Sequence, residues 1–294
     1  MRVLSFITLV FVSVFVGEKT CAQESAAHII DSISSLKNDD TEKIYFIQDY
    51  AYACAQSGDS DIFAFREVLY KKVEGKTLAP YVKLLSMNNN IYGTYFMLTG
   101  KYDSAEDYFR RNLPLGNKFN NKLIITKVYN NLGNLANHKS NYEQAVGYFQ
   151  NGVKYAEEMH DTGLLAATLG NIANSYIRLK QIEKAIVTLK RAIPLAETRR
   201  DKRMMANLYN TMATAYGEIK NDTLELAYQS KSYSIYKETN NRKGLGTASL
   251  NLGAIYLKLK KFDSALQYMT ESIGYERDID DLENLAESYC KSSA

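Results

Sequence analysis

The chain has 294 residues, 46% of them hydrophobic and 23% charged, with a formal net charge of +3. A balance this close to neutral gives no basic footprint for nucleic acid, and no run of like charge marks an interaction tail. Nothing in it is low-complexity or Pro-rich.

Met1–Ala22 opens with Arg2 as its one early charge and an apolar run from Val3 to Val16. That run falls short of the ~20 residues needed to span a bilayer. Thr20 and Ala22 supply the small residues of a signal-peptidase site, so cleavage before Gln23 and export to the periplasm or cell envelope are expected. An uncleaved anchor is an alternative, as is a lipoprotein cysteine at Cys21, although Glu18-Lys19-Thr20 is a poor match to the motif that precedes one. Cys54 and Cys290, the two cysteines beyond it, lie too far apart along a stacked array for the ~7 Å that a disulfide can bridge.

Residues 23–75 read as an N-terminal helical cap. An amphipathic helix runs through Ile29, Ile30, Ile33 and Leu36, and a degenerate helix hairpin follows around GDSD. Pro80 then stands where the next helix should begin, a position at which its missing N–H does no harm.

From there one pattern recurs. Turn-flanking alanines fall at Ala105, Ala145, Ala185, Ala227 and Ala265, at steps of 40, 40, 42 and 38. Ahead of each stands a large residue (Tyr92, Leu132, Ile172, Met212, Leu252) followed at once by a small one (Gly93, Gly133, Ala173, Ala213, Gly253). Four residues further come Phe96, Ala136, Tyr176, Tyr216 and Tyr256, on the same face of a helix that turns every 3.6 residues. Past the turn, Phe109, Phe149, Leu189, Lys231 and Met269 follow the alanine by four. Each copy is thus two amphipathic helices whose small residues permit close approach. Asp103, Glu143, Glu183 and Asp263 meet the positive end of the second helix, and Asn141 is placed to cap one such helix.

This succession resembles the tetratricopeptide repeat, over about residues 86–294, and the spacing is similar to a long-helix subgroup of about forty residues per unit. The family's leading Trp is absent and its closing Pro is missing or displaced to Pro114 and Pro194. The resemblance implies an all-α fold, a right-handed superhelical solenoid of antiparallel helix pairs with about five repeats over 76–294 and an incomplete last one. On the forty-residue frame a further first helix begins within Asp281–Ala294 and stops before its turn, so either a truncated member of a longer sensor-like family or an end that docks on another chain, by self-association for example, is expected.

Catalysis has little support. His28, His138 and His160 are scattered, and no metalloprotease, nucleotide-binding or nucleophile-elbow motif is present, so no enzyme activity, cofactor or metal is expected. The 23 tyrosines invite a base-stacking reading, but Tyr176, Tyr216 and Tyr256 occupy packing positions.

The asparagines carry the functional reading. Positions two before and two after the large residue should face the concave surface: Asn90 and Thr94, Asn130 and Asn134, Gly170 and Asn174, Asn210 and Thr214, then Leu250 and Ala254. Asn137, Asn171, Arg178 and Asn207 would line the same surface, as would Tyr95. An amide both donates and accepts, so a column of amides can pair with the backbone of an extended peptide whatever its side chains. Some members of the family clamp a C-terminal carboxylate with two Asn and three cations. Asn134 and Asn171 match the Asn positions, but Asn130, Asn207 and Thr211 replace the cations, so an internal ligand segment is expected. The whole is similar to exported scaffold regions and to the sensory regions that precede histidine-kinase or helix-turn-helix outputs. An exported protein- or peptide-binding scaffold is the expectation.

Overall fold

The computed structural model describes residues 79–275, in two compact units of which one reaches to Asn120 and the other begins at Asn121. The signal segment, the degenerate hairpin, Cys54, Cys290 and the incomplete last repeat lie outside the described residues.

The first unit holds α1 (Ala79–Leu98), α2 (Tyr102–Arg110) and α3 (Asn112–Lys118). Pro80 sits in the first turn of α1, as its missing N–H requires. Pro114 cannot bond back to the carbonyl four residues earlier, which accounts for the break at Arg111 between α2 and α3. Gly93 faces the ring of Phe109, and fully buried Tyr92 stacks on Tyr108 with centroids 5.1 Å apart. Buried Asn112 ties the helices together by donating to the Ser86 carbonyl at 3.0 Å.

The second unit runs α4 (Lys122–His138), α5 (Tyr142–Glu158), α6 (Thr162–Arg178), α7 (Ile182–Arg199), α8 (Lys202–Glu218), α9 (Asp222–Glu238) and α10 (Arg242–Lys258), then a helical stretch over 262–275. Successive helices pack as pairs, each pair also meets the next, and α4, α6 and α8 contact one another in order along one side. This is the stacked all-α arrangement that the periodicity implies.

A beat of twenty residues governs it. Ser140, His160, Lys180, Arg200, Lys220, Asn240 and Lys260 all take positive φ, between 50° and 59°, and each closes a turn. The next residue opens a helix, and at most of the turns, though not at Gln181, its side chain caps it. Asn121, Asp161, Asp201, Asn221 and Asn241 accept N–H groups of the helices they precede, Asp161 two of them at 3.1 and 3.0 Å. Such a cap satisfies donors that have no partner inside the helix. Asn141, expected to do the same, makes no side-chain capping bond.

The even beat corrects the sequence frame in the fourth pair. There is no two-residue lengthening between Ala185 and Ala265: the turn residues Lys180, Lys220 and Lys260 are equally spaced. The position of Ala105, Ala145, Ala185 and Ala265 is therefore held by Glu225, and Ala227 is exposed. The aromatic or aliphatic position is likewise held by Gln229, not by exposed Lys231. Ser232 replaces the residue seven past the alanine, is fully buried, and donates to the Ala206 carbonyl at 2.9 Å. Ser272 repeats that bond to Gly246 at 2.8 Å.

Elsewhere the small positions behave as the spacing requires. Ala145, Ala185, Phe149 and Leu189 are fully buried, and a Cβ on Gly133 would stand 2.5 Å from the Phe149 ring.

Candidate functional site

The first helices of the pairs carry the asparagine column, and their packing sorts it. Asn130 turns between repeats: its Nδ2 donates to Thr168 Oγ1 at 2.9 Å, and its Oδ1 is buried beside Gly152. Asn137 Oδ1 accepts from Ser175 Oγ at 3.0 Å, again across a repeat boundary. These two amides fasten one pair to the next, although Asn130 Oδ1 itself accepts no hydrogen bond. In the first unit, half-buried Asn90 accepts from Asn112 at 3.0 Å, with Thr94 half-buried above it, and Tyr95 belongs to the core at 9% exposed.

Further along the second unit, the amides come to the surface. Asn171, Asn174, Asn207 and Asn210 line one cavity of about 460 Å³ between α6 and α8, together with Asp201 and Arg203. Asn207 Oδ1 accepts from Tyr236 at 2.8 Å, and Asn210 Oδ1 from Asn251 Nδ2 at 3.1 Å. Each amide therefore keeps its NH₂ to offer. Asn134, Asn171 and Asn174 make no side-chain hydrogen bond among the described residues. Arg178 and Thr214 are exposed, and the Thr214 hydroxyl donates to the Asn210 carbonyl at 3.1 Å. Gly170 and Leu208 also line this cavity, and a Cβ on Gly170 would stand 2.9 Å from the Leu208 side chain.

A second cavity, of about 500 Å³, follows between α8 and α10 and reaches down to α9. Asn251 and Thr214 stand at its rim, and Glu225 and Gln229 line it from α9. In the neighbouring pairs these two places hold a buried alanine and a packed Phe, Leu or Met. Glu225 fits because residue 217 is glycine: a Cβ there would lie 2.6 Å from the carboxylate. The equivalent positions, forty residues apart, are Met97, Asn137, Ile177 and Leu257, so the bulk has moved from one helix to its partner. Lys258 Nζ reaches Asp222 at 2.5 Å and Glu225 at 2.9 Å, and these two bonds push the ammonium pKa up. The sequence reading missed Glu225 and Gln229 because it followed Ala227. The signal that finds them is the cap residue, Asn or Asp, that recurs at Asn121, Asp161, Asp201, Asn221 and Asn241.

Around these cavities the tyrosines pack. Tyr216 stacks on Tyr228 at 5.5 Å and Tyr256 on Tyr268 at 5.5 Å, while Lys231 lies over the Tyr209 and Tyr228 rings. Burial, then a 2.5 Å hydrogen bond to Glu197, pushes the Tyr209 hydroxyl up to about 12. Tyr233 is raised by burial and by its bond to Glu271. His138 and His160 are exposed. Among the described residues no group of three His, Cys, Asp or Glu side chains is placed to hold a metal, and no helix is long and apolar enough to cross a membrane.

Two family models, both described as tetratricopeptide repeat, match residues 124–198 and 247–279. The α8/α9 pair lies between the two matches. Among curated proteins no sequence relative matches. Solved structures similar in fold include aspartyl phosphate phosphatase F from Bacillus subtilis, 16% identical with a TM-score of 0.64 over 88% of this chain and 70% of that one. A Rap protein complexed with Competence and Sporulation Factor is 15% identical, with a TM-score of 0.62 over 93% of this chain and 77% of that one. BtubC from P. vanneervenii is 14% identical, with a TM-score of 0.60 over 81% and 92%. At these identities the likeness is one of fold.

Proposed function

We propose that this tetratricopeptide-repeat chain is an interaction scaffold that holds an extended segment of another polypeptide along the face formed by α4, α6, α8 and α10. The observation that carries it is the α6/α8 cavity, where Asn171, Asn174, Asn207 and Asn210 converge. Asn207 and Asn210 are oriented by Tyr236 and Asn251, which leaves their NH₂ groups to meet peptide carbonyls. Asn171 and Asn174 can both donate and accept, as a backbone requires. Four amides held on rigid helices lower the ordering cost that binding an extended chain otherwise incurs.

No cationic clamp for a C-terminal carboxylate lines this cavity, so the segment held is internal to its protein. Arg203 is the cation there, with Asp201 beside it. Panning a random peptide display library on the wild-type protein and on an Asn171→Ala/Asn174→Ala variant tests the reading. Wild-type protein enriches a consensus and the variant loses it while keeping its helicity. Enrichment of the same peptides by both proteins would discard the groove as the binding face.

Export belongs to the same proposal and rests on Met1–Ala22. Mass spectrometry of the mature protein should find Gln23 as the first residue. An intact N-terminus on cytoplasmic protein would overturn it.

A further inference from the structure

The fourth pair breaks its own repeat in two places that face one space. Gln229 is 2% exposed, lines the α8/α10 cavity, and its Nε2 meets no acceptor among the described residues. A buried donor left without a partner is costly, which is why such groups are rare in folded proteins. Beside it, Glu225 gives one carboxylate oxygen, Oε2, to Lys258 and keeps Oε1 over Gly217. Glu225 and Asp222 share that single ammonium, so the site has acceptor capacity to spare.

We infer that this cavity is a side-chain pocket for a carboxamide, the Gln or Asn of a bound polypeptide, its carbonyl accepting from Gln229 Nε2 and its NH₂ donating to Glu225. The terminal torsion of a glutamine is broad and two-fold, so the Gln229 amide can turn to present its donor to the cavity. A carboxamide is a neutral group that answers both needs at once, with its acceptor and its donor on separate atoms. A carboxylate has no donor to give Glu225, an aliphatic side chain would leave both polar groups unpaired, and a guanidinium would leave the Gln229 donor without an acceptor. Room is ample, at about 500 Å³. The pocket thus adds a preference at one position to a groove that otherwise reads backbone. Discrimination of this kind is strong because a wrong side chain strands a buried polar group.

The inference rests on the groove being the ligand face, but its probe is a single residue too short to span that groove, so it succeeds or fails independently of the panning result. N-acetyl-glutamine methylamide is titrated into isotope-labelled protein, and the Gln229 side-chain NH₂ resonances are followed by heteronuclear NMR. These are assigned by their loss in Gln229→Leu. Saturable movement of the Gln229 resonances is expected, with binding about tenfold weaker in Glu225→Ala, the effect of losing one hydrogen bond to a charged group. Both variants restore residues that neighbouring pairs carry, so both fold. The corresponding glutamate, arginine and leucine derivatives should bind more weakly than glutamine in wild type. Absence of any shift at Gln229 up to the solubility of the probe would overturn the inference, as would equal or tighter binding of the arginine or leucine derivative.

Discussion

Gln229→Leu should stabilise the protein, although it removes a wild-type residue from a 2%-exposed position. Two contributions act in the same direction. Deleting a buried donor that lacks a partner recovers about 1–3 kcal/mol, and leucine is the residue the preceding pair already packs at this place, as Leu189. Net stabilisation of ~1–3 kcal/mol is expected, a rise in Tm of about 2–4 °C for each kcal/mol in a protein of this size. Because a repeat touches only its neighbours, the gain should be local. Amide exchange should slow on α8, α9 and α10 and stay unchanged on α4 and α5. Lys231→Leu is the matched control, since the alternative frame anchored on Ala227 puts Lys231 in the core. Lys231 is exposed and lies over two tyrosine rings at 5.3 and 5.2 Å. Its replacement should cost about 0.5–1 kcal/mol through the lost cation–π contact. Urea unfolding with exchange mass spectrometry reads both variants. Destabilisation by Gln229→Leu with stabilisation by Lys231→Leu would refute the twenty-residue frame and the pocket built on it.

Gly133→Ala should destabilise by about 1–3 kcal/mol, because the new methyl would stand 2.5 Å from the Phe149 ring in a packed contact; an unchanged urea midpoint would mean the ring has space to move. Asp161→Ala should cost about 1 kcal/mol, since it strands the Gly163 and Leu164 N–H groups, whereas Asn141→Ala, which removes no capping bond, should melt like wild type. Tyr209 adds a pH dependence. Its folded pKa, raised to about 12 by burial and by Glu197, exceeds the ordinary tyrosine value of about 10. Its contribution is therefore fully present below pH 10 and lost as pH rises from 10 toward 12. Tyr209→Phe should flatten the alkaline limb of a stability-versus-pH curve, and an identical limb in both proteins would count against this assignment.

The helix pairs were legible because their evidence is redundant. A large residue followed by a small one, an aromatic one turn later and an alanine beyond the bend each report the same close approach of two helices. Ala145, Ala185, Phe149 and Leu189, all fully buried, answer to that pattern. The amide column was legible only as a set of positions. Whether an asparagine faces a ligand or a neighbouring repeat depends on side-chain direction, which spacing leaves open. Asn130 and Asn137 turn toward Thr168 and Ser175, while Asn171 and Asn174, which stand one repeat beyond Asn131 and Asn134, line a cavity.

The fourth pair was misread for a physical reason. Its alanine and its aromatic are the residues that Glu225 and Gln229 replace, so a frame set by packing residues slid two places to the nearest alanine, Ala227. The turns kept the true register, because a residue at positive φ followed by an Asn or Asp cap answers to backbone geometry, whatever the core beneath it contains. Asn221 follows Lys220 as Asp201 follows Arg200 and Asn241 follows Asn240. Backbone signals of this kind persist where core signals are given up, and a core signal is given up where something other than packing is selected. The place at which the two frames disagree is therefore the place to look for a site. Here it is the pair in which Gly217 gives up bulk so that a carboxylate can enter, and in which a buried amide has been kept at a cost that leucine would remove.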